Sequence, residues 1–357
     1  MFSSAPKGRG APVNDAPQRF NLPDREADGD WLDERDEIDG EQAPPRTTVT
    51  IERPKTIIAR NNSPDIPFDR SINAYRGCEH GCIYCFARPT HAYHDLSPGL
   101  DFETRLFAKP DAPALLRAEL SKRGYVAKPL AMGTNTDPYQ PIEREYRITR
   151  QCIEILAETR HPLTITTKSD KVVRDLDLLA PMAKQGLVAV AISVTSLDPK
   201  VHRTLEPRAP SSRKRLAAIR ALSEASVPVF ASMSPVIPAI TDHEIEHLVE
   251  AAAEAGAMSA FFLPVRLPHE VAPLFRAWLE EHYPDRAGKV MSIIRSIREG
   301  HDNDPRFFTR MRGHGPWAEL IRTRFEKACR KHSLNRERID LRTDLFRPPP
   351  GRQGELF

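Results

Sequence analysis

The sequence predicts an α/β protein assembled from parallel βαβ units. Six short β-prone runs, at residues 71–75, 130–133, 163–167, 188–193, 227–233 and 260–264, alternate with segments of 3.6-residue apolar period. Several of those runs are apolar on both faces, as strands covered by helices on each side must be. The chain is also long enough: 357 residues, 40% of them hydrophobic, supply a core for one large α/β domain with appendages or for two domains. An open six-strand barrel and a doubly wound sheet both fit this count.

In chain order, residues 1–46 mix Gly, Pro and charge. Residues 1–50 hold 6 basic and 11 acidic side chains. A segment with so few apolar groups cannot offset the entropy of ordering, so 1–46 is expected to be a disordered acidic N-terminal segment. Residues 47–51 (TTVTI) are β-prone and read as a short edge strand. Helical faces follow: Leu115, Leu116 and Leu120; Ile148, Cys152, Ile155 and Leu156; Leu216, Ile219 and Leu222. Asp111 with Pro113 fits a helix cap, and Thr241-Asp-His-Glu244 reads as a capping box ahead of Ile245, Leu248 and Val249. After Pro264 the β-prone runs stop. Residues 269–298 look helical with a break near Pro284, and Gly315-Pro316 opens a helix with Trp317, Leu320, Ile321, Phe325 and Ala328 on one face. The expected organisation is therefore a core at 60–300 and a basic helical extension and tail at 301–357. Residues 305–357 carry 13 basic and 6 acidic side chains, and 348–352 read as a loose tail.

Composition excludes several classes. The formal net charge of +3 is not that of a polycation built for phosphate backbones. No apolar run approaches the roughly 18 residues of a membrane span. The N-terminus lacks the apolar stretch of a secretory signal, which points to the cytoplasm. Five cysteines in so long a chain make no disulfide framework, and in a reducing compartment a tight cluster points to metal or catalysis.

Three of the five lie within eight residues: Gly77-Cys78-Glu-His-Gly81-Cys82-Ile-Tyr84-Cys85. The spacing is C-x3-C-x2-C, and Gly77 and Gly81 permit the tight backbone that aims three thiolates at one centre. Ferredoxin-type clusters take four cysteines, so three leave one iron of a [4Fe–4S] cube open, the mark of a reactive site. A structural zinc held as Cys3His with His80 is the alternative. Cys152 and Cys329, on apolar helix faces, read as buried thiols.

This motif, with Tyr84 before the third cysteine and placed after a first strand, resembles the radical S-adenosylmethionine (radical SAM) superfamily. The flanks Asn73-Ala-Tyr75-Arg-Gly77-Cys78 and Tyr84-Cys85-Phe86-Ala-Arg88 are similar to its spore photoproduct lyase-like branch. The resemblance covers roughly residues 60–300. It implies a partial (β/α)6 barrel with a [4Fe–4S] cluster on Cys78, Cys82 and Cys85 at the C-terminal mouth of the strands. It also implies S-adenosylmethionine on the open iron, cleaved to a 5′-deoxyadenosyl radical that abstracts substrate hydrogen. An electron donor such as a flavodoxin or ferredoxin is implied with it.

Strand ends should hold the cofactor. After the second strand, Gly133 permits close backbone approach, and Thr134, Asn135 and Asp137 offer polar contacts. A plain βα turn is the competing reading. Ser193 and Thr195 offer hydroxyls at the fourth end, Arg208 a guanidinium for the methionyl carboxylate, and Val236 an apolar surface for adenine. Tyr84 belongs to the adenine site by the same resemblance, and Lys168 faces the same mouth. The branch makes nucleic acid a candidate substrate, but the hydrogen-donor cysteine that its lyase carries just after the second strand has no counterpart in Gly133-Thr134-Asn135-Thr136. The second function class is a non-catalytic metal-bearing module, zinc or Fe–S, that binds nucleic acid through its C-terminal arm.

Overall fold

The computed structural model describes residues 6, 8–17 and 46–349. Its strands are β1 (Thr48–Ile51), β2 (Ile58–Arg60), β3 (Arg70–Ile72), β4 (Tyr75–Arg76), β5 (Arg105–Ala108), β6 (Leu130–Met132), β7 (Leu163–Thr167), β8 (Val188–Ser193), β9 (Val229–Val236) and β10 (Ser259–Pro264). Seven form one sheet in the order β10-β9-β8-β7-β6-β3-β2. From β3 to β10 all neighbours are parallel, while β2 joins antiparallel at the edge.

Helices return the chain between successive strands. After β5 comes α1 (Ala112–Leu120). Then α2 (Ile148–Glu158), α3 (Leu176–Lys184), the pair α4 (Pro199–Leu205) and α5 (Ser212–Glu224), and α6 (Ile245–Glu254) lie between consecutive strands from β6 to β10. Sheet order follows chain order with no point of reversal, so the doubly wound alternative falls. Right-handed crossovers of one sense curl such a sheet into a partial (β/α)6 barrel. β8 is buried at all six positions, the signature of a parallel strand covered on both faces.

The 47–51 strand forms, but in a separate small sheet ordered β1-β5-β4. The helical break at Pro284 separates α7 (Val271–His282) from α8 (Pro284–Ser296). The last helix, α9 (Gly315–Lys331), packs Ile321, Phe325, Ala328 and Cys329 into the same apolar core as the barrel strands. Leu320, expected on that face, is 55% exposed.

Two helix starts differ from expectation in their chemistry. Asp111 precedes α1 in a helical conformation, and its carboxylate accepts from Arg53 Nη1 at 2.6 Å rather than from the helix backbone. No capping box forms at 241–244. Thr241 Oγ1 accepts from Ile237 N, and the Glu244 carboxylate accepts from Ser196 Oγ and Leu197 N, tying α6 to the loop after β8. The N-terminal segment also departs from expectation where it is described: residues 9–12 are buried against the core. The remainder of 1–46 (1–5, 7 and 18–45) and residues 350–357 of the tail lie outside the described residues.

Candidate active site

The C-terminal ends of the parallel strands gather the cysteine loop, the 133–140 turn, Lys168, and the segment 194–208. The loop itself is tightly made. Gly77 and Gly81 have φ of +72° and +68°, and a Cβ on Gly77 would lie 2.8 Å from Phe102 O, so both must be glycine. Cys78 N donates to Phe102 O, Cys85 N to Cys82 O, and Ile83 N to Leu205 O. Cys78, Cys82 and Cys85 are free thiols, the first two buried. Burial raises the Cys78 thiol well above its ordinary value, with Asp137 and Cys82 adding to it. Burial also pushes Cys82 up to about 12, against the pull of Lys168.

The 133–140 turn clamps this loop from the barrel side. Thr136 Oγ1 and Gln140 Nε2 donate to Gly77 O at 2.6 and 3.1 Å, and Glu79 N donates to Gln140 Oε1 at 3.0 Å. Asp137 is fully engaged. Its carboxylate accepts from Thr167 Oγ1, Lys168 N and Tyr139 N, and lies 3.3 Å from His80 Nδ1. Burial opposes ionisation of Asp137, but His80 and these donors hold its pKa below the usual carboxylate range. Asp137 is therefore a brace between β6, β7 and the cysteine loop. Gly133 (φ +87°) approaches β7, not open space: a Cβ there would lie 1.9 Å from Thr166 O. Thr134 and Asn135 stay partly exposed, steered by Asn73, whose amide donates to Thr134 Oγ1 and whose Oδ1 accepts from Asn135 N.

On the opposite wall sits a buried charge network. Glu206, 1% exposed, accepts from Arg215 Nη2, Tyr84 Oη and Thr195 Oγ1. Burial would raise its carboxyl, yet Arg215 and then Lys168 hold it down to about 2. Lys168 Nζ lies 5.6 Å from the Tyr84 ring centre. Burial disfavours its charge, but Cys82 and Glu206 outweigh that and raise its pKa. Arg208 pairs with Glu79 at 3.1 Å. Ser193 and Val236 are both buried, the Ser193 carbonyl accepting from Arg215 Nη1.

The expected residues thus gather at one mouth but divide in use. Thr134 and Asn135 are partly exposed, with Thr134 Oγ1 bonded to Asn73, while Asp137, Thr195, Tyr84 and Arg208 each hold a protein partner. Sequence reading missed Asn73, Gln140 and Arg215 as site residues. Asn73 lay within the motif flank, while Arg215 sits in the run Arg213-Lys214-Arg215, which reads as a solvated helix face. Among the described residues no helix is long and apolar enough to cross a membrane.

Comparison with known proteins agrees with this geometry. The radical SAM superfamily matches residues 72–252. An uncharacterised protein of Mycobacterium bovis is 38% identical over 236 residues, covering 66% of this chain and 69% of its own. One from Methanocaldococcus jannaschii is 28% identical over 214 residues, covering 60% of this chain and 76% of its own. In structure, the chain is similar to spore photoproduct lyase complexed with dinucleoside spore photoproduct, with a TM-score of 0.55, 16% identity, and coverage of 80% of this chain and 78% of that one. That likeness speaks to the fold. The family match spans half the chain and includes the cysteine loop, the last residue of β3 and the whole of β6 to β9. The chain belongs to the radical SAM superfamily, and is a radical SAM enzyme whose cofactors are a [4Fe–4S] cluster and S-adenosylmethionine.

Proposed function

We propose that Cys78, Cys82 and Cys85 hold the cluster, and that S-adenosylmethionine lies across the strand ends between Thr134 and Asn135 on one wall and the Lys168–Glu206 network on the other. The observation that carries this is the loop of three free thiols set at the barrel mouth and clamped by Thr136 and Gln140. The donor set fits the group. Three free cysteine thiols on one short loop are the kind of ligand that iron–sulfur clusters take. His80 Nδ1 lies 3.3 Å from Asp137, so in this reading the histidine braces the loop and the three cysteines alone are the ligands.

When bound, the cluster and S-adenosylmethionine supply a 5′-deoxyadenosyl radical that takes hydrogen from the substrate. The chain's own residues bind and orient. Thr134 and Asn135, partly exposed at this end of the barrel, would offer hydrogen-bond partners for the cofactor's amino group. Lys168 supplies positive charge for its carboxylate, a role expected of Arg208, whose guanidinium is held by Glu79. Ser193, Thr195, Tyr84, Gly133 and Val236 shape the walls, and Asp137 fixes the turn that carries Thr134.

Nucleic acid is the substrate class this reading takes. It is supported by the basic excess of residues 305–357 and by exposed Phe307 and Phe308 beside exposed Arg312, a combination suited to stacking bases and pairing phosphates. The electron donor would be a small flavin or iron–sulfur protein.

The test is anaerobic reconstitution with iron and sulfide. Brown protein that releases 5′-deoxyadenosine on reduction with S-adenosylmethionine is expected, and Cys82→Ala is expected to lose the colour. A full iron complement in that variant would refute the ligand set. Deuterium carried from a labelled oligonucleotide into 5′-deoxyadenosine would identify the substrate. Transfer from no nucleic acid tried would count against that class.

A further inference from the structure

Residues 9–15 lie across the outer side of the cysteine loop. Gly10 N and Ala11 N donate to the two carboxylate oxygens of Glu103, both at 2.9 Å, and Arg9 Nη1 donates to the Glu103 carbonyl at 3.0 Å. Glu103 is wholly buried and also accepts from Arg88, itself wholly buried. Arg88 in turn donates through Nε to Cys82 O at 2.9 Å. The contact with the loop is backbone to backbone. A Cβ on Gly10 would lie 1.8 Å from Gly81 O, and one on Gly81 would lie 2.9 Å from the Glu103 carboxylate. Ala11 joins the apolar cluster that contains Cys82, Ile83 and Tyr84. Further along, Asn14 and Asp101 exchange two hydrogen bonds, and Ser97 Oγ donates to Asp15 O.

A peptide that only trails along a surface does not place two of its amides on a buried carboxylate and a glycine against a backbone oxygen. We propose that residues 9–15 are a strap which positions the cysteine loop and shields the cluster, acting through Glu103 and Arg88 on the carbonyl of Cys82. The inference rests on the reading of Cys78, Cys82 and Cys85 as cluster ligands. Outer-shell partners of metal ligands typically govern affinity by about 10- to 100-fold, and the strap stands in that relation to Cys82. Glu103 and Arg88 are positioning residues here, since neither touches the cluster.

The experiment compares the full chain with a variant lacking residues 2–17 and with full-length Gly10→Val. Deletion leaves the Glu103–Arg88 pair intact, and Gly10→Val blocks docking without shortening the chain. Two quantities are read: release of iron from reconstituted protein to a chelator, and hydrogen exchange of residues 78–88 in metal-free protein. Both variants are expected to release iron at least about tenfold faster and to exchange faster at 78–88. Unchanged exchange in both variants overturns the strap whatever the iron does, and so does unchanged iron release from both. Failure of the underlying reading is separately visible: a triple Cys78, Cys82, Cys85→Ala variant would then take up the same iron as the full chain, while the exchange measurement would still report on the strap.

Discussion

Glu206 shows what single residues contribute at this mouth. Its carboxylate is the counter-charge of Arg215, also 1% exposed, and it draws in Tyr84, Thr195 and Lys168. Removing one member of a buried ion pair leaves the other charge desolvated and unmatched, at a cost of about 3–5 kcal/mol, far above the ~1 kcal/mol of an exposed pair. Glu206→Gln is accordingly expected to lower the unfolding free energy of the metal-free protein by about 3 kcal/mol in urea titration, and Arg215→Met in the same chain to recover part of it. A loss below about 1 kcal/mol, on the scale of exposed pairs, would mean the network is not dry. The part played by Arg215 was not legible in the sequence, because it shares a helix with Arg213 and Lys214 and only the packing of α5 turns it inward. The cysteine loop was legible for the opposite reason: C-x3-C-x2-C and its two glycines are local, and local constraints are written contiguously.

At the scale of elements, strands were readable because burial on both faces leaves unbroken apolar runs. β7 and β8 fall on the expected residues, and β10 begins one residue early. Side-chain bonds at helix starts were not readable, because tertiary partners compete for the same groups, as Ser196 and Leu197 do for Glu244. β2, at the edge of the large sheet, and β5, the middle strand of the small one, are only three and four residues long, too short to show a period. The junction of β6 with its turn gives a sharp test. Gly133 holds φ at +87° with its α-carbon against Thr166 O, so Gly133→Ala imposes both backbone strain and a clash with a strand that cannot retreat. Left-handed geometry alone costs about 1–3 kcal/mol for a non-glycine residue. The variant is expected to lose at least about 2 kcal/mol of stability and, by moving Thr136 and Gln140 off Gly77, to hold less iron after reconstitution. Wild-type stability with wild-type iron would show that the β6–β7 contact is looser than the distance implies.

Across the whole molecule the barrel separates a chemical end from a structural one, as parallel barrels do. At the end opposite the cysteine loop, His161 precedes β7 and packs between Tyr125 and Phe346, binding Tyr125 Oη at 2.9 Å and Pro162 O at 3.0 Å. The C-terminal arm is fastened alongside by Arg347 N to Thr159 O and Arg342 N to Gly186 O. Burial lowers the His161 pKa from 6.5 to about 4. Above pH 6.5 the ring is neutral folded or unfolded and contributes no pH dependence. As pH falls below 6.5 the unfolded chain takes the proton first, so stability drains until the folded pKa near 4 is reached. The shift corresponds to roughly 3 kcal/mol over that window. His91, which burial likewise lowers to about 4, adds a loss of the same sign from beneath the cysteine loop. Urea midpoints of the metal-free protein are therefore expected to fall between pH 6.5 and 4.5, and His161→Phe, which keeps the ring contacts without the titration, to make that fall shallower. An unaltered pH profile in His161→Phe would place the acid sensitivity elsewhere, and the C-terminal arm would then be held by its backbone bonds alone.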